Sequence, residues 1–470
     1  MSSIEGLFEI IREGDIKYVD FRFTDLRGRW RHVTYHISCL DEAMFENGFF
    51  LESASLFGAR LAEEPSILLK PDIETAIADP FAAQPQLILF CDVFEVSTGN
   101  PHPCCPRGIA KKAQAYLRKS GIADALYLSP DIQFFIFDDV RYTIDINKVS
   151  FELDAGDAAW SSGREFEQGN WAHRPNVMDG YLSMSPLDGS IDLRAEMAST
   201  LIDMGVPVEG HNHEAASPQH KLGMRWASLL AGADQVQLYK YVVHMVAHSY
   251  GKTATFMPKP LVGDSGSRMS LAQSLWKEDT PLFPGSGYAG LSDVALFYIG
   301  GLIKHARVLN AFANATTNSY KRFAPDVFAP TILAYSANNP QAAYSIPYEE
   351  DPGKRCIVAQ YPDPAANAYI TYAAMMLAGL DGIRNKVHPG DSLDGYGDGS
   401  SEKNGRMREQ KVSHSLRDAL GHLKTEHSFL LQGGVFSSQF VECYIETKLR
   451  EVSAFERTPH PLEYKLYYSA

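Results

Sequence analysis

Two acids and a lysine stand out for their chemistry: Asp131 in SPDIQFF, and Glu214 and Lys221 in HNHEAASPQHK. Residues two apart on a strand point to the same face, which pairs Asp131 with Gln133 and Asn212 with Glu214. Clustered carboxylates have two outlets. They hold a hard cation through oxygen ligands, or they take a counter-charge from the chain, because buried acids without one are costly. Lys221 has the right chemistry for the second outlet, and an internal salt bridge from it to Asp131 and Glu214 is expected to seal the site. His211 and His213 fall on the face opposite Glu214 and are expected to pack. Ser270 lacks both a G-x-S-x-G setting and a triad partner, and Cys356 lacks an adjacent base, so neither makes a hydrolase nucleophile.

The elements that must position these groups follow from period and punctuation. Ile4 to Ile11 reads as an apolar helix, and Tyr18 to Phe23 alternates as a strand before a turn at Arg27 and Gly28. The run Asn100-Pro101-His102-Pro103 is a proline-marked connection, followed by an amphipathic helix from Pro106 to Lys119. A chain of 470 residues exceeds what one core supports, so two domains are expected, residues 1–103 and 104–470. In the second, strand-like runs (Leu126 to Leu128, Ile132 to Phe137, Val206 to Gly210) mix with helices (Ile191 to Met204, Asp293 to Ala313). Residues 390–405, GDSLDGYGDGSSEKNG, read as a mobile surface loop. A net charge of -14 argues against nucleic acid as a partner. Neither a membrane span nor a secretory signal is found, and the six cysteines show no metal-ligand spacing, which together point to the cytoplasm.

Longer runs carry a further signal: CDVFE (Cys91 to Glu95), HRPNVMDGY (His173 to Tyr181), YKYVVHMVAHSYGKTATFMPKP (Tyr239 to Pro260), YAGLSDVALFYIGGLIKHA (Tyr288 to Ala306), TTNSYKR (Thr316 to Arg322), PDPAANAY (Pro362 to Tyr369) and AGLDGI (Ala378 to Ile383). In order and spacing, the chain resembles the bacterial type I glutamine synthetases from end to end. The resemblance implies an α+β fold with a small N-terminal β-grasp domain and a large domain built on an antiparallel, barrel-like sheet with surrounding helices. It implies two stacked six-membered rings, with active sites shared between ring neighbours and a C-terminal tail, here residues 458–470, docked into the opposite ring. It also implies a reaction in which ATP and glutamate give γ-glutamyl phosphate and ammonia displaces the phosphate, with Mg²⁺ or Mn²⁺ held on five Glu and one His.

At the positions matching that shell the chain departs from the family pattern. G-P-E-x-E-F-F has become SPDIQFF, giving Asp131 and Gln133. Glu214 is kept, Asn212 replaces a phosphate-contacting His, and Lys221 stands for the next Glu. Ser270 replaces the ligand His, with Arg268 adding bulk and charge beside it, and Val358 replaces the last Glu. Asn338, Pro340 and Ser345 occupy the places of three substrate-binding arginines, and Cys356 and Gln360 those of two more. Phe328 replaces an acidic flap residue, Glu52 replaces an Asp near the retained Ser55, and Arg322 remains. Asp398 falls where some members carry a regulatory adenylylated Tyr, so that regulation is not expected.

Losing one preorganised charge in such a site costs about 10² to 10³ in rate. The expectation is therefore a structural or regulatory pseudoenzyme that does not ligate glutamate and ammonia and needs no cofactor. It would assemble with itself as a double hexameric ring, or with an active synthetase, or would use the cleft of His211, His213, His220, Lys221, Arg268, Ser270 and Cys356 for another ligand. The alternative is an active ligase of the family, joining glutamate or a related acid to ammonia or an amine with ATP, on a rebuilt site.

Overall fold

Alternation over the first strand-like segment becomes the middle of a five-stranded sheet. The computed structural model describes residues 3–52, 56, 66–323, 330–394 and 410–470. Helix α1 (Ile4–Glu13) starts at Ser3, whose hydroxyl accepts from the Gly6 N–H. Then come β1 (Tyr18–Thr24), β2 (Trp30–His36), α2 (Glu42–Asn47), β3 (Phe49–Glu52), β4 (Ser66–Ala78) and β5 (Gln86–Glu95), ordered β2-β1-β5-β4-β3 in the sheet. Only β1 and β5 run parallel, as a β-grasp sheet requires. Val19, Phe21, Phe23, Leu87 and Leu89 fill the core beneath it. Gly28, at φ +84°, lets the β1–β2 turn close under Asp25, which accepts from the N–H groups of Arg27 and Arg29.

Helix α3 (Pro106–Ser120) opens with proline at its first position, where no N–H is needed, and ends at left-handed Gly121. Its buried Arg107 bonds Asp72 and Asp92 of the first sheet and Asp234 of the second part, tying the two together. The chain continues as β6 (Ala125–Phe137), the hairpin β7 (Asp139–Asp145) and β8 (Lys148–Asp154), α4 (Ile191–Asp203), β9 (Val208–His213), β10 (Gln219–Met224), β11 (Ala227–Ser228), α5 (Leu229–Ser249), β12 (Thr253–Thr255), β13 (Met269–Lys277) and β14 (Thr280–Pro281). After α6 (Asp293–Lys304) and α7 (Ala306–Ala313) come β15 (Ile332–Ser336), β16 (Ala342–Ser345), β17 (Ile357–Ala359), α8 (Ala368–Arg384), α9 (Leu416–Glu426), α10 (Ser438–Glu456) and α11 (Pro461–Tyr467).

The large sheet runs β15-β16-β17-β13-β6-β10-β9, with β11 and β12 on β6 and β14 on β13. It is antiparallel except at its edge, where β15 and β16 are parallel. The two strand-like runs expected before and after Pro130 form one strand, β6, because Pro130 lies opposite Leu271 without interrupting the pairing with β13. The single helix expected from Asp293 to Ala313 breaks at His305, whose ring stacks on Phe429 at 3.9 Å and whose Nε2 lies 2.7 Å from Asp381. Helix α8 is buried at every residue from Ala368 to Gly382 and meets α6 at glycines, so the two backbones come into contact. Among the described residues no helix is long and apolar enough to cross a membrane.

Candidate functional site

Six of the residues singled out from the sequence, Asp131, Gln133, Asn212, Lys221, Arg268 and Ser270, fall in two adjacent rows on the large sheet. In an antiparallel sheet, directly opposed residues share a face. The first row crosses four strands. Arg268, just before β13, lies against Gln133, Gln133 is opposite Lys221, and Lys221 is opposite Asn212. The second row sets Ser270 opposite Asp131, Asp131 opposite Gly223, and Gly223 opposite Gly210. Gly223 makes the second row possible: a Cβ there would meet Asp131 Oδ1 at 2.9 Å.

Lys221 Nζ lies 3.2 Å from Asp131 Oδ2, so half of the expected salt bridge forms. The other half does not. Glu214 is buried and accepts from Asn212 Nδ2 at 3.1 Å, and among the described residues Lys221 pairs with Asp131 and not with Glu214. Nor is the cleft sealed, because the two side chains of the pair are 23% and 46% exposed. An ion pair so wet is worth about 0–1 kcal/mol. It orients the ammonium and leaves it open to solvent.

Part of the lining around this pair is made of neutral, hydrogen-bonded side chains. The Ser270 hydroxyl donates to Gln360 Oε1 at 2.9 Å, and Gln360 Nε2 donates to the Ser345 hydroxyl at 2.7 Å. Gln133 Oε1 accepts from the Arg268 N–H at 2.9 Å and from Gln219 Nε2 at 3.4 Å. Val358 is nearly buried in β17, and Cys356 is pushed up to about 12 by burial, which keeps it a thiol. Asn338 and Pro340 are exposed on the β15–β16 connection, and Glu52 is exposed at the end of β3. Ser55, Phe328 and Asp398 lie outside the described residues, as does the expected loop from residue 395 onward.

Behind the sheet the histidines pack, as expected. His213 Nδ1 lies 2.7 Å from the Glu214 carbonyl, and buried His220 faces Arg194, which is itself bound to Asp188. Burial, then the Arg194 charge, holds His220 well below the ordinary histidine range, so it is neutral. His211, also lowered by burial and Arg194, stands at the edge of this cluster. Arg322 is buried beside the cleft, with Nη2 donating to the Tyr361 carbonyl, while its Nε has no hydrogen-bond partner among the described residues. Burial lowers its pKa to about 10. Gln219, Arg194 and Asp188 were not singled out from the sequence. Their one signal was position, Gln219 lying two residues before Lys221 and so on the same strand face.

Comparison with known proteins places this geometry in context. Residues 15–96 match the family model described as glutamine synthetase, beta-Grasp domain, and residues 103–467 match that of the glutamine synthetase catalytic domain. A glutamine synthetase of Azospirillum brasilense is 50% identical over 470 residues, covering 100% of both chains. One of Rhizobium meliloti is 46% identical over 471 residues, again covering 100% of both. A 3-hydroxylaminophenol mutase of Cupriavidus pinatubonensis is 46% identical over 469 residues, 99% of each chain. The cryoEM structure of Plasmodium falciparum glutamine synthetase matches with a TM-score of 0.91 at 26% identity, covering 100% of this chain and 99% of that one.

Full-length relatives of that name, at 44% to 50% identity, overturn the expectation of a non-catalytic pseudoenzyme. They equally overturn the expectation of a chain without metal or nucleotide. The donor set is nonetheless unlike the implied shell. Among the described residues no group of three or more His, Cys, Asp or Glu could hold a metal, and Asp131 and Glu214 are the carboxylates left on this face. Lys221, Ser270 and Val358 cannot complete a cage for a hard cation.

Proposed function

Because the chain belongs to the glutamine synthetase family, we propose that it is an ATP-dependent ligase that joins glutamate, or a related acid, to ammonia or an amine. The observation that carries this reading is 50% identity, end to end, to a protein named glutamine synthetase. The γ-phosphoryl group passes to the acid's carboxylate, releasing ADP, and the amine nitrogen then displaces phosphate from the acyl phosphate. Such transfers depend on positioning and on neutralising charge rather than on covalent help from the protein. Lys221, Arg268 and Arg322 are the cations this chain brings to the cleft. The Ser270–Gln360–Ser345 chain offers neutral hydrogen-bonding groups where the family pattern has charge, which suits an acid or amine other than the family's usual pair. ATP, with Mg²⁺ or Mn²⁺ as its counter-ion, belongs to this reading. Asp131 and Glu214 do not make a full metal shell, so no step is derived through one.

The division at residue 103, and assembly into stacked rings through residues 458–470, belong to the same proposal. They are supported by the separate matches to the two family models and by the exposed apolar tail, with Leu462 at 52%, Tyr464 at 60% and Tyr468 at 80% exposure. The test of function is ADP release by the purified chain against a panel of amino and dicarboxylic acids with ammonia and small amines. Release that needs both an acid and an amine supports the reading; release with none of them refutes it.

A further inference from the structure

The disagreement between this cleft and a metal shell points to what stands in its place. Lys221 and Arg268 lie on one row and one face of the sheet, on either side of Gln133. At about 4.8 Å per strand their backbones are about 10 Å apart, so two long side chains can converge on one anion between them. An ammonium has three donors. Among the described residues Lys221 spends one of them, on Asp131, and is open to solvent.

Arg268 supplies an independent sign. Its side chain is exposed and makes no ion pair among the described residues, yet its charge acts on Arg322, which is buried with an unpartnered Nε. The buried Asp363 carboxylate answers Arg322 more strongly than Arg268 repels it, so the Arg268 guanidinium is the group left to take an anion from solvent. Arg322 faces Asp363 and Lys221 pairs with Asp131, which leaves Arg268, of these three cations, without an ion pair among the described residues. Gln133 adds rigidity, since its carbonyl oxygen is held by the Arg268 backbone and by Gln219.

We propose that Lys221 and Arg268 form a pair of cations that binds the phosphate chain of the nucleotide, taking over charge that the family pattern assigns to a protein-held metal. This rests on the reading that ATP is a substrate. Lys221 is oriented by Asp131, which in turn lies over the bare backbone of Gly223. The pair acts by direct contact with phosphate oxygens, so it favours binding of the nucleotide whether or not the acid is present.

Calorimetric titration of ATP, and separately of Mn²⁺, into the full-length protein tests the pair, with ADP release followed on the same samples and folding checked by circular dichroism. Loss of one charge-assisted contact corresponds to a ~10- to 100-fold change in affinity. Lys221→Met and Arg268→Met are each expected to weaken ATP by that factor, and Lys221→Arg to stay within a few-fold of wild type. Lys221→Glu is expected to lose ATP affinity and gain a saturable Mn²⁺ site, having added a third carboxylate to Asp131 and Glu214. Unchanged ATP affinity in folded Lys221→Met and Arg268→Met overturns the proposal, as does a wild type that binds no ATP. If those variants keep ATP affinity in a protein that still turns over, the ligase reading survives and this inference falls. If they lose it in a protein that forms no amide, the reverse holds.

Discussion

Gly223 and Asp131 show how closely the cleft is set by single atoms. A methyl at Gly223 meets the Asp131 carboxylate, which can move only by leaving Lys221. Because that pair is half exposed, Gly223→Ala is expected to change stability by less than about 1 kcal/mol while raising the KM for ATP severalfold. A steady-state assay beside a thermal melt separates the two effects, and an unchanged KM would count against the role given to Lys221. Asp20 offers a test through pH. Burial alone raises its pKa, but the Thr34 hydroxyl, the Arg22 charge and the Arg22 and His32 hydrogen bonds outweigh that, leaving it below the ordinary carboxylate value. The unfolded chain therefore binds the proton more tightly, so Asp20 contributes stability above about pH 4 that is lost as pH falls through its lower folded value. Asp20→Asn should flatten the acid side of the urea-midpoint profile; an acid limb as steep as wild type would contradict this. At this scale the sequence was half legible. Strand period placed Asn212 beside Glu214, whereas the pairing of Lys221 with Asp131 was implied by the family resemblance and their opposite charges. The Ser270–Gln360–Ser345 chain was not visible, because Ser270 and Ser345 lie on two strands and Gln360 follows a third, and local pattern does not reveal how these strands pair.

Strand β6 is the element on which the site is hung, since it carries Asp131 and Gln133 and pairs with β10 on one side and β13 on the other. Its position is secured from behind by Tyr239 of α5, whose hydroxyl donates to the Ile132 carbonyl at 2.8 Å. Beyond β13 lies the contact of α6 with α8, where a Cβ on Gly382 would run into the Phe297 carbonyl and Gly301. Backbone cannot yield as a side-chain tip can, so Gly382→Ala is expected to cost about 1–3 kcal/mol. Chemical denaturation measures it, and a midpoint equal to wild type would show that the helices are less tightly seated than described. Helix periods were readable in the sequence, as with α1 and α3. The break at His305 was not, for it has no proline or glycine to announce it and follows from a tertiary stack on Phe429 and a bond to Asp381. The parallel pairing of β15 with β16 was equally hidden, being a matter of topology.

For the whole molecule, both family matches and the end-to-end identity agree with the architecture that the scaffold runs implied, whereas function was misread from the site residues. The scaffold runs are long and contiguous, so they survive in a single sequence. The site is assembled from short pieces whose substitutions compensate one another only in space. The tail gives a prediction at this scale. Residues 459–470 are exposed throughout, with apolar Leu462, Leu466 and Tyr467 among them. Removing them should leave the far-ultraviolet spectrum nearly intact and reduce the assembly to smaller species by analytical ultracentrifugation; an unchanged sedimentation coefficient would remove the tail from the assembly. The central claim, that this chain is a working ligase, is tested most directly by incubating it with ATP, Mg²⁺, ¹⁵N-ammonium and glutamate or a related acid, and following ¹⁵N by NMR. The account predicts an amide ¹⁵N signal that grows with ADP and disappears when ATP is omitted. Label remaining wholly in ammonium, across the acids and with a folded, ATP-binding protein, would contradict it.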